Sequence, residues 1–150
     1  MAERLISLMK VSDTYYAEGC PLLLEAFALY QDAATGSRIA QLKWKNIDQR
    51  SVKAVMIELD VYDAFDQKLD PVQYQYDGLL MAQGAEFGTK TPIMIHSDKA
   101  AKYNVILKAV SFAEGEIWRA ESRIPFSALP PIKEQKLTGE LLYQYIRDLS

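Results

Sequence analysis

Residues 84–91 read GAEFGTKT, two glycines followed by a lysine and a threonine, the residue types that cradle phosphate in nucleotide-binding loops. A phosphate loop of that kind needs G-x-x-x-x-G-K-[ST] between a strand and a helix, so that backbone N–H groups and the helix N-terminus converge on the anion. Here three residues separate Gly84 from Gly88, and Thr89 intervenes before Lys90. TPIMI follows, a proline-led and branched run that suits a strand. The segment therefore reads as a connecting loop that enters a strand.

The other chemical candidates are equally sparse. Asp60, Asp63, Asp66 and Asp70 cluster in DVYDAFDQKLD, but a calcium loop wants ligands at alternate positions, a central glycine and a terminal glutamate. Residues three apart on a strand face opposite sides, so Asp60 and Asp63 read as a solvated strand end and turn. His96 is the only histidine and Cys20 the only cysteine, which permits a Cys–His dyad on paper, although a polar surface role for His96 fits its position before SDK better. Tyr74 and Tyr76 share one face of the short run VQYQY, where exposed rings would stack on a carbohydrate or peptide and buried ones would pack on a neighbouring strand. They are the two candidate binding residues. No catalytic group, cofactor site or metal ligand is nominated.

Composition narrows the classes further. With 150 residues, 49% hydrophobic and 25% charged, the chain matches an ordinary folded domain. A net charge of -3 supplies no basic footprint for nucleic acid or for an anionic membrane surface. One cysteine closes no intrachain disulfide, and with one histidine it falls short of a structural zinc set. Glu3, Arg4 and Lys10 interrupt the first ten residues, which argues against a signal peptide, and no run approaches the ~20 apolar residues of a membrane span. The expectation is a soluble cytoplasmic protein.

Between Leu24 and Trp118 the dominant period is two. Ala40, Leu42 and Trp44 alternate with Gln41, Lys43 and Lys45, so Trp44 is expected in the core. Val55, Ile57, Leu59 and Val61 repeat the pattern after the short connector IDQRS. Further strands are expected over 24–31, 72–76, 91–96, 101–112 and 116–120. YNVILKAV is apolar at both parities, the mark of a central strand or one broken by a bulge. About seven short strands joined by turns predict an all-β antiparallel sandwich. Residues 1–19 form an N-terminal extension with a short helix over ERLISLM. Residues 20–122 form the sandwich. Residues 123–150 hold a proline-containing connector, with Pro130 and Pro131, and a short amphipathic helix over 138–149 whose apolar stripe is Leu142, Tyr145, Ile146 and Leu149.

Three stretches taken together carry a resemblance: CPLLLEAFALYQDAATGSRIAQLKWKNIDQRSVKAVMIELDVYDAFDQ, then GAEFGTKTPIMI, then VILKAVSFAEGEIW. They resemble the N-terminal domain of a family of uncharacterised zinc-ribbon-bearing proteins of Gram-positive bacteria, with its Cys-Pro start, Thr-Gly turn, QLKxxN, KAV, G-x-x-F-G-x-K-T-P-I and F-x-x-G-x-x-W. The resemblance covers about residues 20–120 and implies an immunoglobulin-like sandwich without assigned catalytic residues. Two departures stand out. The paired Cys-x-x-Cys ligands of the ribbon do not occur up to Ser150, and Lys68 replaces the usual glycine after Asp66-Gln67.

The reading that follows is a non-enzymatic interaction or architectural module. A ligand-binding module for carbohydrate or peptide, using exposed aromatics or an edge strand, is the alternative. A protein partner or a downstream domain is expected, with a weak homodimer through the C-terminal helix.

Overall fold

Strong alternation leaves each strand with one apolar face to bury, and two sheets laid face to face are the simplest way to bury them all. The structure, a computed structural model, takes that solution and describes residues 5–17 and 19–120. Its elements are β1 (Leu5–Val11), β2 (Leu22–Asp32), β3 (Arg38–Asn46), β4 (Val52–Tyr62), β5 (Val72–Tyr76), β6 (Glu86–Phe87), β7 (Ile93–Ile95), β8 (Lys102–Phe112) and β9 (Ile117–Arg119). Sheet A runs β1-β2-β3, with β6 and β7 both on the far side of β3; sheet B runs β5-β4-β8-β9. All pairings are antiparallel.

The core lies between the sheets. Leu22, Leu24, Phe27 and Leu29 of β2 and Ala40, Leu42 and Trp44 of β3 meet Val55, Ile57, Leu59 and Val61 of β4 and Tyr103, Val105, Leu107, Val110 and Phe112 of β8. Trp44 is 0% exposed, as its parity predicts. Tyr103 ties the two layers, donating its hydroxyl proton to the Ala28 carbonyl of the opposite sheet at 2.7 Å. The expected bulge in YNVILKAV is present, a register shift between Met56 and Ile57 where Lys108 of β8 has no partner.

Two expectations are corrected. The described part of the run expected as a helix is not one; Leu5–Val11 is a strand paired with β2 from Val11↔Phe27 to Leu5↔Asp32. A helix of two turns is marginal in isolation, whereas the strand satisfies the backbone groups along the outer edge of β2. The strand count among the described residues is nine instead of about seven, the additions being β1 and the two-residue β6. The amphipathic helix expected over 138–149 lies outside the described residues.

Candidate interaction surface

The GAEFGTKT loop is a strap across Trp44. Phe87 pairs with Trp44 and Glu86 with Lys45 in the β3–β6 ladder. Gly84 donates its N–H to the Asn46 carbonyl at 2.7 Å, Asn46 donates to Ala85 O at 3.0 Å, and Gln41 Nε2 donates to Thr89 O at 2.7 Å. Gly88, at φ +103°, passes so close to β3 that an added Cβ would stand 2.6 Å from Leu42 O and 3.2 Å from Trp44 Cδ1. The glycine is required by this close approach. Phe87 then packs edge-on to Tyr76 at 5.7 Å, which sits edge-on to Tyr74 at 4.9 Å.

Tyr76 is therefore a core residue, buried, with its hydroxyl 3.4 Å from the donating Trp44 Nε1 and its ionisation pushed up by burial. Tyr74 is half-buried beside it. The two candidate tyrosines come together as a packing pair that faces inward, and the face β5 turns outward carries Gln73 and Gln75 instead. An aromatic stacking platform is not what this strand presents. Cys20 and His96 are far apart: Leu22 pairs opposite Asn46 and Ile95 opposite Arg38, the two ends of β3. Eight residue steps from 38 to 46 at about 3.3 Å each put roughly 26 Å between those ends. Burial pushes the Cys20 thiol up to about 12, and its Sγ donates to Leu22 O at 3.4 Å. His96 is exposed at the rim of a cleft of about 530 Å³ with Lys68, Asp70 and Ser97.

Asp63 and Asp66 serve the turn after β4, whereas Asp60, expected at a solvated strand end, is buried within β4 with Lys68 3.8 Å away. Asp63 Oδ1 accepts from the N–H groups of Phe65 at 2.8 Å and Gln67 at 2.9 Å, while Asp66 takes φ 62° and pairs with Lys102. The left-handed position thus falls on Asp66, one of the few side chains that tolerate it. No group of three or more His, Cys, Asp or Glu able to hold a metal gathers among the described residues.

Sequence reasoning passed over Asn46 as the last residue of a strand. It is fully buried and acts as a hub: Nδ2 donates to Arg50 O at 3.0 Å and Met81 O at 2.9 Å, and Oδ1 accepts from Asp48 N at 2.9 Å. Beside it the Arg50 guanidinium forks onto Asp48 at 2.9 and 3.0 Å, reaches Glu116 at 3.0 Å and lies 3.8 Å from the Phe112 ring centroid. Burial would raise the Asp48 carboxyl, but the Arg50 hydrogen bonds outweigh it and hold the group below the ordinary value. This corner joins sheets A and B, and it explains the polar connector IDQRS as structure.

The outer face of sheet A holds a pair of perturbed acids. Glu25 falls at a bulge in β2, between Leu24 and Ala26. Its carboxyl is pushed up to about 7, first by burial and then by the hydrogen bond and charge of Glu86. Glu86 moves the other way, held down by accepting from Glu25 and from Lys43, whose Nζ is 2.8 Å away. Of the two carboxyls Glu25 is the one that holds its proton to higher pH. Its Oε1 is buried with no hydrogen-bond partner among the described residues, a position that a neutral acid tolerates better than an ion. Next to this cluster lies a hollow of about 110 Å³ floored by Ala26 and Ala28 and rimmed by Lys10, Tyr30, Lys43 and Thr89.

Beyond the hollow the sheet ends at β1. Leu5, Ile6 and Leu8 are 39%, 48% and 37% exposed, and among the described residues no strand pairs with the far side of β1. An edge that is both apolar and unpaired is unusual, because folded proteins commonly blunt edges with charge, proline or cover. No protein family, no curated protein and no solved structure matches this chain. No helix among the described residues is long and apolar enough to cross a membrane.

Proposed function

We propose that the sandwich is a non-enzymatic interaction module that binds a protein partner by accepting an extended segment along β1. The observation that carries this reading is the exposed apolar edge of Leu5, Ile6 and Leu8. Main-chain hydrogen bonds to a free edge supply affinity, and side chains alternating along the added strand select the partner. The inward-turned Tyr74 and Tyr76 weigh against the carbohydrate alternative and leave edge pairing as the mode of contact.

The finer fold assignment we put forward is immunoglobulin-like. The order β2-β3-β7 facing β5-β4-β8-β9 supports it, because lettering those strands A, B, E and C′, C, F, G reproduces a common sandwich of that class. On that lettering β1 is an additional strand ahead of A, appended to the sheet where the first sequence segment can reach it. The resemblance to the N-terminal domain of zinc-ribbon-bearing bacterial proteins agrees with the same arrangement.

The test is a selection of extended peptides from a displayed library against the full chain, with a Leu5→Lys, Ile6→Lys, Leu8→Lys variant as counter-target. Peptides that bind the parent and not the variant are expected. Peptides that bind both equally would overturn the assignment of the contact to β1.

A further inference from the structure

The two sides of β1 differ in chemistry, and its register with β2 says which residues lie on each. Directly opposed residues of an antiparallel pair share one side of the sheet. Val11 stands opposite Phe27 and Met9 opposite Leu29, both core residues, so Val11 and Met9 turn inward, and both pack against the core cluster. Ile6 stands opposite Gln31, two residues on from Leu29, and shares that side. Lys10 stands opposite Ala28 and Ser7 opposite Tyr30, which places both on the outer side. Leu8 is the extra residue of the bulge between Ser7 and Met9. Met9, Lys10 and Val11 thus run apolar and inward, cationic and outward, apolar and inward.

Lys10 is the only charged residue of β1, and it is exposed. It makes no ion pair among the described residues, and its neighbour on β2, Ala28, has no side-chain group to accept from it. Across the hollow over Ala26 and Ala28, by contrast, Lys43 is already engaged by Glu86 at 2.8 Å. Lysine on an edge strand commonly turns other strands away. This one lies near the end of β1 and on its outer side, and it leaves Leu5, Ile6 and Leu8 uncovered. A single lysine beside an apolar run does not close the edge; it selects by charge what pairs there.

We infer, on the reading that β1 is the docking edge, that the segment it accepts is acidic: an extended run of a protein partner with a carboxylate opposite Lys10 and apolar residues on either side of it, opposite Met9 and Val11. The flanking apolar residues continue the buried side that Met9 and Val11 begin, and the carboxylate gives the Lys10 ammonium a charged acceptor. The same alternation serves a parallel or an antiparallel segment, because successive residues turn to opposite sides in both. A basic residue at the same place sets like charges opposite each other, which is destabilising.

Two eight-residue peptides, acetylated and amidated, test this on the full chain: Thr-Val-Thr-Val-Glu-Val-Thr-Val and the same sequence with lysine for glutamate. Amide cross-peaks of the isotope-enriched chain report affinity and location together. Both peptides are expected to move the amides of Leu5–Val11, the glutamate peptide binding about 2- to 30-fold more tightly, the ratio between a favourable and a like-charge cross-strand pair. Lys10→Glu, a change at an exposed side chain, is expected to reverse that order with the core amides of Ile57 and Ile93 unshifted. Equal affinities at β1, or an order unchanged in Lys10→Glu, would overturn the selection of an acidic segment while leaving β1 as the docking edge. Peptides that move amides only outside β1, or none at all, would overturn both.

Discussion

Replacement of Gly88 by alanine is the sharpest probe of the strap over Trp44. Two costs add at this position. A side chain at φ +103° is strained whatever surrounds it, and residues held in such sparsely populated conformations cost about 1 to 3 kcal/mol. The new Cβ also meets Leu42 O at 2.6 Å and Trp44 Cδ1 at 3.2 Å. The first contact is backbone in the middle of a sheet and yields little, so an overpacking cost of about 1 to 3 kcal/mol applies in addition. The control is Gly84→Ala, at φ +87° in open space, which carries the conformational cost alone. Urea unfolding followed by tryptophan fluorescence should then show both variants destabilised, with Gly88→Ala the worse by about 1 to 3 kcal/mol. Equal destabilisation of the two would refute the argument that the close approach to β3 fixes this glycine.

Asn46→Ala removes a buried hub and takes a hydrogen bond from the Arg50 carbonyl and the Asp48 N–H, while the Met81 carbonyl keeps the Val52 N–H; a loss of about 1 to 3 kcal/mol is expected in the same assay, and under about 0.5 would show that water replaces the amide. The pH dependence of stability follows from Glu25, whose folded value is raised from 4.5 to about 7. The folded state holds that proton more tightly than the unfolded state, so its contribution is fully present below 4.5 and is lost as pH rises to about 7. Glu86, held below 4.5, acts only at lower pH. Glu25→Gln should flatten the melting temperature between those limits, and an unchanged slope would contradict the shared-proton arrangement. Cys20 should resist thiol reagents at pH 8 in the folded chain and react once urea unfolds it, because the thiolate is the reactive form and burial disfavours it; equal rates in both states would place the thiol at the surface.

The period of two carried most of the fold. Ala40, Leu42 and Trp44 on β3 and Val55, Ile57, Leu59 and Val61 on β4 are buried as their alternation requires, because a one-residue slip would have turned every one of them outward. What alternation does not encode is the partner of each strand. Leu5–Val11 is apolar at 5, 6, 8 and 9, a spacing that suits a helix locally, and only the open edge of β2 makes it a strand. Glu86–Phe87 is too short for any pattern, and its pairing follows from Gly88 pressing the loop onto β3.

The candidate surface was less legible. Tyr74 and Tyr76 share a face, as their spacing states, but spacing does not say which face, and packing with Phe87 turned them inward. Asn46 is a polar residue at a strand end and the last position of the QLKxxN run, but neither states its role, which depends on Arg50, Asp48 and Met81 meeting it in space. The Glu25–Glu86 pair joins residues more than sixty positions apart, which no local pattern brings together.

The central claim is that partner binding adds a strand to β1, and backbone amide hydrogen exchange on the full chain, free and saturated with a selected peptide, tests it most directly. The amides of Leu5–Val11 that do not already bond to β2 should exchange more slowly in the complex, with alternate residues protected as a new antiparallel or parallel ladder demands. Protection that falls on β5 or β9, the edges of the other sheet, with β1 unchanged, would contradict it.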